Sequence, residues 1–468
     1  MGTLLSAAEA FEAYAQHAAS ARWEDLPLDV RRRAVRVLAD DMAATCSAVD
    51  EPEIVASRAV SAETALLGSP GLWPGVPTAS VLASGRPRAP LAEAAGLNGL
   101  AMGWNELDEG YRKAVCHAGL YVLPALLATA EARAFSVREV LRALVIGYDV
   151  AARVARTWRF ARMDLHPHAV LAPVGAAAGV ASLMRLPAPV WLRAVAGAST
   201  LGMAGPFTQA TQGVLARNTW AAQGAISGLH AVRWARCGIG GAATSPGDVY
   251  AALGARCEPA ELDVAATPGW AIVDGYHKMD ACCQYTHSAI DAVGQLLAGS
   301  PALRGGERVR EIVVQAHPLG FGLNNAQPDT TLGAKFSLPH AVAAAFVHGH
   351  GGVQAFDAAA LQDPRITRLR PRVRLEPMPD VRPWPEDRPA RVRVITDDGK
   401  TYEAVCWSAR GGPDRPWDDA ALWDKIQALS AGVLPGLVSS ARALDASVTD
   451  DASPDLAQPF GDWLARCF

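Results

Sequence analysis

Lysine is scarce in this chain: of its 43 basic residues only five, at 113, 278, 335, 400 and 425, are lysine. Arginine stays protonated at any working pH, whereas a desolvated lysine can lose its proton, so a lysine kept in an arginine-preferring chain is a candidate for proton chemistry. An excess of either charge is also lacking. The net charge of −4 and a pI near 6.3 leave no electrostatic footprint for nucleic acid. The one arginine-rich run, Arg365 to Arg374, is broken by Pro371 and by apolar residues and reads as a solvated strand or loop.

Paired cysteine motifs are missing too. The eight cysteines, at 46, 116, 237, 257, 282, 283, 406 and 467, form no CxxC, and adjacent Cys282 and Cys283 are poorly placed to bridge one another. A reducing cytoplasm is the expected location. The start of the chain has no basic segment before Glu9 and Glu12, so no secretory signal is expected. No apolar run is long enough to span a membrane: the stretch from Ala169 to Ala204 is interrupted by Arg185, Arg193, Pro173, Pro187 and Pro189. HxxE and HExxH spacings are absent, and the glycine pairs lack the strand-loop-helix context of a phosphate cradle, so neither a metal nor a cofactor is expected.

What is present points to a large, mainly α protein. At 468 residues the chain exceeds one typical domain, and half of it is hydrophobic, with Ala and Gly supplying much of that half. Such a composition favours closely packed helices. Helical periodicity is strongest over Asp29 to Cys46, Pro90 to Trp104, Val122 to Ala132, Ser136 to Thr157, Gly175 to Met184 and Gln223 to Cys237, and Ser136 with Glu139 predicts a capping box. After Thr267 the pattern changes. Arg308 to Ala316, Arg372 to Glu376 and Ala390 to Thr396 read as strands, and Asp397-Asp398-Gly399 reads as a hairpin turn returning through Thr401 to Cys406. Helical patterning resumes at Asp418 to Leu429 and Pro435 to Leu444, followed by a tail to Phe468. The expected architecture is mainly α with an α+β part: a helical domain over residues 1–265, an α+β lid domain over 266–408, and C-terminal helices over 409–468 that return to the helical domain.

The segment from Asp274 to Asp291 sets Lys278, His277, His287, Cys282 and Cys283 just ahead of an apolar helical pattern, as an active-site segment entering a helix would. Other motifs align with it. Leu97-Asn98-Gly99-Leu100-Ala101 precedes the acidic residues Glu106, Asp108 and Glu109, then Cys116-His117-Ala118-Gly119 and Leu123-Pro124. His166-Pro167-His168 precedes Gly175-Ala176-Ala177-Ala178, and the run Gly213 to Gly228, Phe336-Ser337-Leu338-Pro339 and Arg410-Gly411-Gly412 follow. Together, in this order over nearly the whole chain, they resemble the MmgE/PrpD superfamily, which includes 2-methylcitrate dehydratase, cis-aconitate decarboxylase and iminodisuccinate epimerase.

The resemblance implies a homodimeric, cofactor-free enzyme that moves protons next to a carboxylate of a small organic acid. It implies His117, His166 and Lys278 as catalytic residues. A histidine near neutrality can take and return a proton, and a lysine can stabilise an enediolate or bind a carboxylate. Glu106, Asp108, Arg217, His168 and His277 are implied as substrate-binding or orienting residues. The two cysteines read as small buried hydrophobes rather than nucleophiles. Three departures from the family pattern predict a changed substrate pocket: Glu106 and Gly110 stand where an Asp and a Thr are usual, Arg217 stands for a Lys, and Arg112-Lys113 lies in a loop one residue longer. Arginine can clamp a carboxylate bidentately but cannot serve as a general base. Elimination of water or carbon dioxide ranks ahead of epimerisation or double-bond migration, and the rival reading is a homologue that has lost catalysis and serves as a binding partner.

Overall fold

Ser136 opens the helix Val137–Thr157 in the computed structural model, which describes residues 5–67, 77–160, 162 and 164–468. Its hydroxyl accepts from Glu139 N at 3.3 Å, but the reciprocal half of the expected capping box is absent. Glu139 turns instead to Arg185 at 2.7 Å and Arg142 at 3.1 Å, where two guanidinium groups outbid one backbone amide. The complete box forms at Ser6 and Glu9, which start the helix Ala7–Ser20. At 58% helix and 10% strand the protein is mainly α with an α+β part.

Two helices start earlier than the expected Val122 and Gly175. The observed spans are Ala118–Ala132 and Pro167–Leu183, with Pro124 and Pro173 inside them. A proline inside a helix removes one amide donor. At Pro173 the loss is covered, because the carbonyl of Ala169, four residues earlier, accepts from Met203 N at 2.9 Å. Every residue of Pro167–Leu183 is buried. It is the central rod of the helical part, flanked by Ala118–Ala132, Val137–Thr157 and Thr219–Arg236. Gly224 and Gly228, one turn apart on Thr219–Arg236, make the closest approach possible: a Cβ on either would lie 2.4 Å from Ala172 or Ala176. That is why an Ala/Gly-rich composition packs here without large side chains.

Two hydrophobic clusters organise the chain. The first gathers residues from Ala10 to Ile272 and again from Leu422 to Cys467. The late helices Asp419–Ser430 and Leu437–Ser447 lie on Leu28–Cys46, and Phe460–Cys467 lies on Ala118–Ala132. The second cluster runs mainly from Ala281 to Cys406, joined by Ala44, Leu107 and Ala210. It is built on the helices Gln284–Gly299 and Leu338–His348 and on a four-stranded sheet ordered Thr401–Cys406, Ala390–Thr396, Val309–Ala316, Val373–Pro377. The first three strands pair antiparallel and the last is parallel to Val309–Ala316. The hairpin closes at Gly399, whose φ of +82° suits the turn.

The arginine run departs from expectation. Pro364–Leu369 is a helix capped by Asp363, and the strand starts only at Val373. Arg370 is buried because its guanidinium satisfies Leu361 O and the Thr367 hydroxyl, each at 2.7 Å. Among the described residues no helix is long and apolar enough to cross a membrane.

Candidate active site

A two-residue ladder brings the site together. Gly110 and Tyr111 pair antiparallel with Tyr276 and Gly275, which sets His277 and Lys278 beside the acidic loop that links Leu91–Met102 to Ala118–Ala132. Gly110 has no room for a side chain: a Cβ there would lie 1.8 Å from Gln284 Nε2. The carboxamide of Gln284 therefore fills the space that a side chain at position 110 would need. Arg388 donates to Gln284 Oε1 from the other side.

Glu106, Asp108, His117, His166, His168, Arg217 and Lys278 form one buried network. Asp108 Oδ2 accepts from His117 Nδ1 at 2.6 Å, while its Oδ1 lies 3.5 Å from Lys278 Nζ. Glu106 Oε2 is 4.0 Å from the same Lys278 Nζ and Glu106 Oε1 is 2.6 Å from Arg217 Nη2. Two carboxylates thus face two cationic side chains. Burial opposes ionisation of Asp108, but Lys278, His117 and Arg217 outweigh it and hold its carboxyl below the usual range. An ionised Asp108 makes His117 Nδ1 the protonated nitrogen. His117 Nε2 is then the lone-pair end, without a hydrogen-bond partner among the described residues, and the ring lines a cavity.

The other two histidines serve Arg217. His168 Nε2 is 2.9 Å from Arg217 Nη2, which must donate, so His168 Nδ1 carries the proton and donates to Tyr121 Oη at 2.9 Å. His166 is the N-cap of Pro167–Leu183. Its Nδ1 accepts from His168 N at 3.2 Å and its Nε2 accepts from Arg217 Nε at 3.3 Å. A neutral imidazole has one lone pair, so one of these two contacts is frustrated in this arrangement. Burial first, then Arg217 and the neighbouring histidine charges, push both His166 and His168 well below the ordinary histidine range. Phe207 stacks on His166 with ring centroids 5.4 Å apart, and Phe336 lies under the Arg217 guanidinium at 5.0 Å.

His277 does not join this group. Its Nδ1 lies 2.7 Å from Asp40 Oδ2, Asp40 Oδ1 lies 2.6 Å from Lys425 Nζ, and burial drives the imidazole down to about 4. This second network backs the acidic loop from the far side. His287 is likewise structural, donating from Nε2 to Cys282 O at 3.0 Å and accepting from Tyr276 Oη at 2.6 Å. Cys282 is pushed well up by burial and Cys283 is pushed up to about 11, so neither thiol is a ready nucleophile.

Several participants were not among the expected site residues. Lys335 Nζ donates to Asn105 Oδ1 at 2.7 Å and to Trp104 O at 3.1 Å, and Lys425 Nζ donates to Leu107 O at 3.0 Å. With Lys278, three of the five lysines converge on residues 104–108. They hold Glu106 in left-handed backbone, φ +55°, a conformation that costs a non-glycine residue about 1–2 kcal/mol. Glu109 accepts from Gly119 N at 2.9 Å and from Tyr148 Oη at 2.7 Å, and burial raises it to about 7. The scarcity of lysine was the signal available for Lys335 and Lys425.

The cavity at the meeting point is walled by Glu106, His117, His166, Arg217, Gln284 and Phe336, and its volume is about 30 Å³, room for about one water molecule. Lys278 and Asp108 stand behind this wall, both fully buried. Among the described residues no group of three or more His, Cys, Asp or Glu is arranged to hold a metal ion.

Comparison with known proteins gives a consistent pattern. Residues 12–249 match the MmgE/PrpD N-terminal domain and residues 281–449 match the MmgE/PrpD C-terminal domain. The chain is 25% identical to cis-aconitate decarboxylase of Mus musculus over 367 residues, covering 75% of this chain and 74% of that protein. It is 26% identical to a cis-aconitate decarboxylase-like protein of Aspergillus oryzae over 445 residues, covering 88% of each.

Proposed function

This chain belongs to the MmgE/PrpD family, and from that premise we propose that it is a cofactor-independent lyase acting next to a carboxylate of a small organic acid. The observation that carries the reading is the Asp108–His117 pair, which engages Nδ1 of a ring that lines a cavity also walled by Arg217 and Glu106. A substrate carboxylate takes Arg217 from Glu106. His117 Nε2 removes a proton from the adjacent carbon, and Asp108 stabilises the imidazolium that forms. Arg217 and Lys278 supply positive charge opposite the resulting enediolate.

In dehydration the enediolate expels a β-hydroxyl, and a histidine returns the proton to make water. In decarboxylation no proton is removed first: the bond to carbon dioxide breaks, its electron pair stays on the substrate carbon, and a histidine that has taken up a proton from solvent on substrate binding delivers it there. Once Arg217 has turned to the substrate, His166 Nε2 is released and becomes the second proton-transfer group. Elimination is preferred to epimerisation, which the same groups could perform by returning the proton to the opposite face, because both compared relatives bear decarboxylase names. The changed contacts at Glu106, Gly110 and Arg217 support a substrate other than that of the named relatives.

In this reading residues 266–408 form a lid over the helical domain. A cavity of about 30 Å³ excludes any organic acid, so the two hydrophobic cores must separate for entry. The protein is read as a homodimer joined through its helical domain, which light scattering would reveal as twice 49.1 kDa. All eight cysteines are free, which suits a cytoplasmic enzyme.

The test is incubation of the purified protein in deuterated water with a panel of carboxylic acids that includes cis-aconitate, followed by NMR and mass analysis. Deuterium should appear α to a carboxylate, or carbon dioxide or water should be lost, and His117→Gln should abolish it. Absence of exchange across the panel, with binding retained, would make the protein a binder rather than an enzyme.

A further inference from the structure

Beside the small catalytic cavity lies a second, larger chamber of about 310 Å³, within the range of small-molecule sites. Val115, Pro167, Tyr285 and Arg388 wall both cavities, so they share a partition four side chains wide. The chamber's interior is apolar, made by Trp158, Phe160, Leu165 and Leu171. At its rim Leu319 and Val381 are 39% and 41% exposed, two of the ten large hydrophobic residues that are exposed among the described residues.

Five cationic side chains also border the chamber, and each already has partners. Lys113 lies 2.6 Å from Asp274, Arg382 2.7 Å from Glu386, and Arg159 3.4 Å from Glu261. Arg112 donates to Pro385 O at 2.8 Å and Ser408 Oγ at 3.1 Å, while Arg388 donates to Arg112 O at 3.1 Å and lies over the Tyr285 ring at 4.8 Å. A cation already paired with protein groups offers an incoming anion less than a free one, whereas apolar walls reward any apolar group that leaves water. The catalytic cavity, with Arg217 on its wall, supplies the place for a carboxylate.

We propose that this chamber binds an apolar substituent, alkyl or aryl, carried by the acid whose carboxylate sits at Arg217. The proposal rests on the reading of that cavity as a carboxylate site. The natural substrate is then an acid larger and more hydrophobic than a plain C4 to C6 polycarboxylate, with its chain passing between Tyr285–Arg388 and Val115–Pro167.

The experiment is calorimetric titration of the full chain with succinate, 2-butylsuccinate, 2-octylsuccinate and 2-phenylsuccinate. Affinity should rise about three- to four-fold per methylene until the chamber is filled, and 2-phenylsuccinate should exceed succinate. Leu165→Trp, which sets an indole into the chamber, should weaken the substituted acids, the longest most, and leave succinate unchanged. Val381→Asp at the solvent-exposed rim should weaken the substituted acids selectively and serves where Leu165→Trp does not fold. Equal affinity of the four acids, or dependence on chain length unaltered in both variants, would overturn the proposal. Exchange in deuterated water with equal affinities keeps the proposed reaction and removes the chamber. Chain-length dependence without exchange keeps the chamber and removes the reaction.

Discussion

Arg217 Nη2 lies 2.6 Å from Glu106 Oε1, with the two side chains only 1% and 2% exposed. The guanidinium best placed to clamp an incoming carboxylate is thus already held by a carboxylate of the protein. Binding of an acid is an exchange of one buried ion pair for another. Its net affinity is the difference between them, not the strength of the new pair.

Glu106→Gln should therefore tighten binding of succinate, by about five- to tenfold, since a neutral amide competes less well than a carboxylate for Arg217. Calorimetry measures this directly. Weaker binding in the variant would make Glu106 a substrate contact in its own right.

Asp108 and His117 should behave as a unit. His117→Gln should lower turnover by about 10² to 10⁴ with a smaller effect on KM, Asp108→Asn should do the same through loss of the oriented tautomer, and the double variant should be little worse than either single one. Lys278→Ala should raise KM and lower kcat together. Additive losses in the double variant would show that the two residues act separately.

Lys335 is lowered to about 8 from 10.5, by burial. Between those values the unfolded chain binds more protons than the folded one, so this group makes stability rise with pH from about 8 to 10.5. Lys335→Met should abolish that rise in Tm. It should also raise KM by releasing the Trp104–Glu106 backbone, an effect that a merely stabilising lysine would not have on the folded fraction.

Glu109 titrates with the opposite sign. Burial raises it from 4.5 to about 7, so between those values the folded state holds more protons, and stability contributed by the protonated form falls as pH rises through the window. Glu109→Gln, which keeps an acceptor for Gly119 N and a partner for Tyr148, should match the parent near pH 5 and exceed its Tm at pH 8. A Tm difference that does not vary with pH would indicate that Glu109 stays ionised.

Helices were legible where periodicity was strong, as in Leu28–Cys46 and Val137–Thr157, because burial of one face writes itself into residue spacing. Their ends were less so. Pro173 fell outside the helix expected from Gly175, since the sequence does not reveal that a distant amide, Met203 N, will cover the freed carbonyl of Ala169. The tail after Leu444, for which no helical pattern was named, holds the helix Phe460–Cys467, eight residues that are too short for periodicity to stand out.

The sequence by itself determined the family pattern, the helical character and the rarity of lysine, all of which are properties of local spacing and composition. Only the tertiary structure decided who faces whom. The ladder between Gly110–Tyr111 and Gly275–Tyr276 joins segments 165 residues apart, sends His277 to Asp40 and Lys278 to Asp108, and leaves Gln284 filling the space above Gly110. Neighbouring residues in a short extended segment point to opposite sides. Adjacent His277 and Lys278 therefore enter different networks, a division that no linear spacing between distant partners could announce.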